Sequence, residues 1–409
     1  MVLPAAAAMA STINVPSDIS TIQVALHVAQ DGDEIVVAPG TYVSFEDNVV
    51  DMLGKAITLR SSDGPHVTFI DGQDASRGII CQGGEGPDTV IEGFTIRNGH
   101  APWYDWNDNG QADYWEYFGG GLWNRGGSSP TVINCRFIDG WAEYGAGICN
   151  FDEDSSSNSP SIIDCVFQGN SAGPGVGGAI YSYASSPSLS GCTFTGNSAS
   201  YGGGMLNVDG SNPELTSCVF TGNHASADGG GVYNDSSMST MFNCVFTGNT
   251  AGDDGGGVFN ADPSSSQNIP SFNACDFSGN IAVNEGGAMH NFSVSPVIED
   301  CSFSNNSAGE GGGIHSWNSS IPSVSNSPFC GNTPTHIQGD WSDDGGNEFA
   351  DNCGACIADL DGSGHVGVDD LLVIIGAWAS DDPVADLDGS GHVGVDDLLI
   401  VIQSWGECP

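Results

Sequence analysis

Basic side chains are almost missing from this chain: 6 Lys and Arg stand against 51 Asp and Glu, and none follows Arg136. A formal net charge of -45 excludes nucleic acid as a natural partner. It also argues against anionic membranes and bare anionic polysaccharides, which present the same sign of field. Divalent cations suit it. Long apolar runs are lacking too, so no transmembrane segment is expected. Through the middle of the chain Gly-Gly-Gly, Gly-Asn or Pro recurs every dozen residues, which leaves no stretch long enough for a stable helix.

What remains is a repeat. From about Pro130 to Asn332 a unit P-x-Φ-x-x-C-x-F-x-G-N-x-A followed by G-G-G-Φ-x-N recurs, most cleanly from Cys218 and from Cys244. Its cysteine falls at Cys135, Cys165, Cys192, Cys218, Cys244, Cys275 and Cys301, with Ser327 in the last copy. A phenylalanine follows two residues later each time: Phe137, Phe167, Phe194, Phe220, Phe246, Phe277, Phe303 and Phe329. Steps are 26 or 27 residues, with two of 30 and 31, a period that marks a solenoid. Apolar residues two apart have the period of a strand with one buried face. Short strands and turns at fixed spacing, with no helix between them, read as a mainly β chain forming a parallel β-helix.

Coils of such a helix lie about 4.8 Å apart, so equivalent side chains stack in columns. Leu122, Ile148, Ile180, Met205, Val232, Val258, Met289 and Ile314 supply a further inward row. Asn170, Asn197, Asn223, Asn249, Asn280, Asn306 and Asn332 supply a row of turn amides that can bond from coil to coil. The cysteine row is read as buried free thiols. In-register neighbours hold Cβ atoms about 4.8 Å apart, beyond the roughly 3.5–4.5 Å of a disulfide.

The C-x-F-x-G-N-x-A and G-G-[GA]-[ILV] motifs resemble the repeats of the bacterial polymorphic outer-membrane protein family, within the pectin-lyase-like right-handed β-helices. The resemblance covers roughly residues 20 to 335 and implies the fold; function has to be argued from a site. Ahead of the repeats, STIQVALHVAQ reads as a short helix with Ser20 and Gln23 as a capping box, plugging the first coil. Repeat register is expected to begin at Phe94 in the cysteine slot, with Ile96 in the phenylalanine slot. The opening MVLPAAAAMA ends in Ala8-Met9-Ala10, an A-x-A pattern read as the tail of a truncated secretion signal, so the chain is expected to be secreted, extracellular or at the cell surface. The domains expected are residues 1–10, a β-helix over 11–350 with an insertion at 101–118, and a separate module over 351–409.

That insertion matches an EF-hand calcium loop. Asp105, Asn107, Asn109, Asp113 and Glu116 fall at positions 1, 3, 5, 9 and 12, the Gln111 carbonyl at 7, and Gly110 at 6. It also carries Trp103, Tyr104, Trp106, Tyr114 and Trp115. These aromatics either stack on sugar rings as a glycan platform or pack the loop on its own coil beside Trp123 and Trp141.

At the C-terminal end ADLDGSGHVGVDDLLVIIGAW is repeated almost unchanged at a step of 27. Asp359, Asp361, Ser363, the His365 carbonyl and Asp370 take calcium-loop positions 1, 3, 5, 7 and 12. Asp386, Asp388, Ser390, His392 and Asp397 do the same in the second copy. Each loop runs into an apolar helix, expected over Leu371 to Trp378 and Leu398 to Trp405. The pair resembles a type I dockerin, which implies calcium as cofactor and a cohesin-like domain or cell-surface protein as partner through residues 357–406. Two departures matter: Ser at position 5, with Gly367 and Gly394 leaving position 9 to water, lowers the expected calcium affinity, and Val368-Asp369 and Val395-Asp396 at the partner-selecting positions make docking less secure than calcium binding. Cys330, Cys353, Cys356 and Cys408 lie outside the ladder and suggest clasps, Cys330 with Cys353 and Cys356 with Cys408.

Catalysis is not predicted. The paired-aspartate and Gly-His-Gly signatures of related hydrolases are not visible, and the later coils have no Lys or Arg to serve a lyase. If the chain were a polysaccharide lyase or glycoside hydrolase, Asp105, Asp113, Glu116, Arg97, His100 and Arg125 would be its candidates. The leading reading is a calcium-loaded surface or carbohydrate-binding protein tethered by its tail, with a self-assembling surface protein as a third possibility.

Overall fold

The computed structural model describes residues 10–101, 117–151, 158–262 and 269–350, and, further on, 353, 358, 360, 365–380, 382, 384–387 and 390–407. The chain divides into two compact units, Met1–Phe349 and Ala350–Pro409.

A turn of backbone in the larger unit lays down three short strands, such as Thr131–Ile133, Arg136–Ile138 and Ile148–Asn150, and four coils add a two-residue fourth. Stacked coil upon coil, they make three parallel sheets of 13, 12 and 11 strands, here called the first, second and third. The phenylalanines pair in register along the second sheet from Phe137 to Phe329. Their rings stack face to face with centroids 4.3 to 5.1 Å apart. Burying each ring stabilises the fold by about 1.5–3 kcal/mol, and stacking adds about 0.5–1.5 kcal/mol.

The inward row Leu122 to Ile314 forms the matching column of the third sheet and is fully buried. Val132, Ile162, Leu189, Leu215, Met241, Phe272, Ile298 and Val324 close the core from the first sheet. Ile96 pairs with Phe137 as expected, but the column does not begin there: it runs back through Ile70 to Tyr42. The seven ladder cysteines are buried free thiols, as are Cys81 and Cys149. Burial pushes the Cys135 thiol up to about 12, which makes it an inert small hydrophobe. Cys330 and Cys353 are each disulfide-bonded.

Two corners shape the coil. Between the first and second sheets one residue per coil turns left-handed, for example Asn134, Asp164 and Asn243 at φ 48, 52 and 53. Asn and Asp tolerate that region best among residues with a Cβ. Before the third sheet stands Gly-Gly-Gly. At Gly231 a Cβ would lie 2.6 Å from the Gly257 carbonyl and 3.0 Å from the Phe246 ring, so the glycines let adjacent coils close up.

Helix α1 (Ile22–Val28) covers the first coil with Ile22, Ala25 and Leu26 buried. Its cap differs from expectation. Thr21, not Ser20, accepts the Val24 N–H at 3.2 Å, and Gln23 instead exchanges hydrogen bonds with the Asp51 backbone. The helix thus starts one residue later, because Gln23 is drawn to the strand beside it.

In the smaller unit, α2 (Val368–Gly376) and α3 (Val395–Gln403) pack on a core of Ala358, Val366, Ile374, Ala385, Val393 and Val401. Both helices start three residues earlier than the sequence suggests. Asp370 and Asp397, in the first turn, accept the N–H of Gly367 and Gly394 at 2.8 and 2.7 Å, an acceptor at the positive helix end that fixes the start. Trp378 and Trp405 lie beyond the helices.

Candidate functional site

The two duplicated loops are each closed by the carboxylate at position 12. Asp370 accepts the Leu360 N–H at 2.6 Å, and Asp397 accepts the Leu387 N–H at 2.7 Å. Leu387 adjoins Asp386, so the last acidic residue of the second loop is drawn to the first. Asp386 in turn accepts the Ser390 and Gly391 N–H groups at 3.0 and 2.8 Å, while the Ser390 hydroxyl donates to the His392 carbonyl at 3.1 Å. In the second loop these bonds tie the side chains of Asp386, Ser390 and Asp397 to the loop backbone.

His365 is described through its backbone, which pairs with Glu407. Asp359, Asp361, Ser363 and Asp388 lie outside the described residues. So do residues 102–116 of the inserted loop, with Asp105, Asn107, Asn109, Gln111, Asp113 and Glu116 and the aromatics Trp103, Tyr104, Trp106, Tyr114 and Trp115.

The helices beside these loops carry an unexpected surface. Val368, Leu372, Ile375 and Trp378 are 45 to 61% exposed, and their repeats Val395, Leu399, Ile402 and Trp405 are 43 to 60% exposed. The spacing is helical and the same in both copies, so the duplicated module presents its apolar stripe twice.

Of the fallback catalytic residues, Arg97, His100 and Arg125 are described, and each is engaged with a different neighbour. Arg97, on the second sheet, is ion-paired with Asp71 at 2.8 Å and lies over the Phe69 ring. His100 stacks on Trp141 at 4.6 Å. Arg125 follows a third-sheet strand and covers the Trp123 ring from 4.8 Å. Arg77, not singled out from sequence, lies over the same ring at 4.8 Å and donates to the Phe118 and Gly119 carbonyls. Burial pulls its guanidinium down to about 10.

Sequence reasoning also missed the outward side of the third sheet. Trp123, Cys149, Tyr181, Leu206, Tyr233, Phe259, His290 and His315 form a column there. Beside it runs the column of residues that precede Gly-Gly-Gly, apolar in the early coils: Phe118, Tyr144, Val176 and Tyr201. In the later coils it turns acidic, at Asp228, Asp254, Glu285 and Glu310. The first two steps are each tied by a backbone N–H donated to the preceding carboxylate, Asp254 to Asp228 and Glu285 to Asp254, both at 3.0 Å. Burial raises Asp228 to about 6, helped by the nearby Asp253 charge. Burial and the charges of Asp228, Asp253 and Glu285 raise Asp254 to about 7. The readable signal was the residue before each glycine triplet, which changes from aromatic or apolar to acidic between Tyr201 and Asp228.

The family described as the right handed beta helix region matches residues 33–220 and 153–269. The chain belongs to the right-handed β-helix family. A repeat of the Chlamydia polymorphic membrane proteins matches residues 300–316 of this β-helix. Among solved structures it is similar to the A-module of Azotobacter vinelandii mannuronan C-5 epimerase AlgE4, at 12% identity and a TM-score of 0.45, over 78% of this chain and 87% of that one. The PL6 family alginate lyase AlyGC gives 16% identity and a TM-score of 0.32, over 84% of this chain and 53% of that one. The receptor binding domain of the Siphovirus 9NA tailspike gives 10% identity and a TM-score of 0.28, over 83% and 76%. These likenesses concern the fold. No curated protein sequence matches the chain.

Proposed function

We propose that this β-helix is a secreted, non-catalytic surface or carbohydrate-binding protein whose tail is a calcium-dependent tether. The observation that carries the reading is the coupling of two features in one duplicated module. The same Asp370 and Asp397 that close the loops also start α2 and α3, the helices bearing the exposed apolar stripes. Calcium drawn into the loops neutralises clustered carboxylates and so holds both stripes in place. Their partner is a cohesin-like domain that covers such a face. The aromatic insertion, from Trp103 to Trp115, supplies the flat apolar groups for a sugar ligand.

The test is a binding titration of the full chain with a cohesin module, with calcium and with chelator. Calcium-dependent binding that is lost in the double variant Leu372→Asp with Leu399→Asp supports the reading. No binding in saturating calcium overturns the tether. The solenoid is tested separately on pectate, alginate and neutral glycans: retention without products fits a binding body, and release of unsaturated or reducing ends makes it an enzyme.

A further inference from the structure

Toward its C-terminal end the outward aromatic column of the third sheet ends in two imidazoles. His290 and His315 are in-register partners on the strands Met289–Phe292 and Ile314–Trp317. Their rings stack 5.1 Å apart, and His290 continues the column from Phe259 at 5.0 Å. Both residues are 2% exposed. For stacking alone phenylalanine would serve, as it does one coil earlier. What histidine adds is Nδ1. On both rings this atom is buried without a hydrogen-bond partner, an arrangement that folded proteins seldom tolerate.

Both nitrogens approach one atom. Glu285 Oε2 lies 3.5 Å from His290 Nδ1 and 3.1 Å from His315 Nδ1, and all three donor atoms fall within 4.8 Å of one another. Metal bonds of about 2.0–2.2 Å in tetrahedral geometry put neighbouring ligand atoms about 3.3 Å apart. The two observed separations bracket that value.

We propose that Glu285, His290 and His315 form a binding site for a divalent transition ion, zinc foremost, on the outer face of the β-helix. Two imidazoles and one carboxylate are a zinc-type donor set, and imidazole nitrogen excludes calcium and magnesium. Glu310 Oε2 lies 3.8 Å from His315 Nε2, beyond hydrogen-bond distance but near enough for a small side-chain shift to bring the carboxylate onto the ring nitrogen opposite the metal. Glu285 and Glu310 line an open depression of ≈ 430 Å³ together with Asp254 and Asn284, so an ion has a path from solvent through an acidic mouth. Three protein ligands leave a fourth tetrahedral position for water or another oxygen donor. This site is independent of the tail and of the tethering role proposed above.

Cobalt(II) titration of the full chain in saturating calcium tests it, with the calcium occupying the oxygen-lined loops. The expected result is a visible ligand-field absorption that saturates at one equivalent and is displaced by zinc. The variant His290→Phe with His315→Phe extends the Phe259 column and so keeps the fold, as its unfolding temperature will verify. It loses that equivalent. Zinc raises the unfolding temperature of the natural chain and leaves that of the variant unchanged. Glu310→Gln weakens cobalt binding about tenfold or more while the spectrum keeps its shape. No saturable absorption in the natural chain, or an equivalent that survives in the double phenylalanine variant, overturns the proposal.

Discussion

Asn249 Oδ1 accepts two hydrogen bonds from Asn223, one from its side-chain amide at 2.9 Å and one from its backbone N–H at 3.0 Å. Asn249 passes the same pair of bonds to Asn280 and donates to the Phe220 carbonyl at 2.9 Å. The amide row is therefore a continuous buried ladder. A second one, Asn207, Asn234, Asn260 and Asn291, runs along the third sheet with side-chain bonds of 2.9 Å.

Truncating one rung strands its neighbours. Asn249→Ala leaves the Asn223 backbone N–H without an acceptor, in a site that water does not reach. A buried unsatisfied group costs about 1–3 kcal/mol, so a loss of about 3 kcal/mol is expected from denaturant unfolding. Asn249→Asp is expected to be worse, since it sets a buried charge against the Asn280 and Phe220 oxygens. A change below about 1 kcal/mol in either variant would show that the ladder does not hold the corner.

Acid strengthens one part of the solenoid and weakens another. The folded-state pKa of Asp228 is raised to about 6 from 3.8 by burial, so its stabilising share is full below 3.8 and is lost as pH rises through about 6. Asp228→Asn keeps the acceptor for the Asp254 N–H and removes the charge. The variant should therefore be the more stable protein at pH above about 7 and lose that advantage on acidification below about 4. Asp71 has the opposite sign. Burial would raise it, but bonds from Asn98, the Gln73 N–H and Arg97 together hold it below 3.8. Its contribution is present above 3.8 and fades as pH falls through the lowered value. Thermal melts of Asp228→Asn and Asp71→Asn across this range distinguish the two, and parallel profiles would refute the assignment.

Chelation is expected to melt the small unit and spare the large one. Hydrogen exchange in residues 365–380 and 390–407 should rise sharply in chelator, while the core strands from Phe137 to Phe329 stay protected. Near-UV dichroism is a poor reporter, because Trp378 and Trp405 are 45 and 49% exposed. Exchange in the tail that ignores calcium would remove the ion from the folding of that unit.

The core was legible because its signal is periodic. Phe220 and Phe246 repeat every coil, and the parallel pairing that stacks them leaves no freedom of register. Free cysteines followed from the same spacing. Local competition was not legible: nothing in STIQVALHVAQ says that Gln23 reaches the Asp51 backbone and leaves the cap to Thr21. Nor was the metal-type triad, whose members sit 5 and 25 residues apart in sequence at Glu285, His290 and His315. Alternation marks the inward side chains, whereas these point outward and meet only because coils stack.

Coil length varies while the columns do not. The 30- and 31-residue steps, from Cys135 to Cys165 and from Cys244 to Cys275, keep Phe137 beside Phe167 and Phe246 beside Phe277. In both, the additional residues fall between the third-sheet strand and the next strand of the first sheet. The junction between those sheets is thus a socket that admits foreign segments without disturbing the winding. Evolution, or a designer, can change what hangs from this rod one coil at a time and leave its architecture alone.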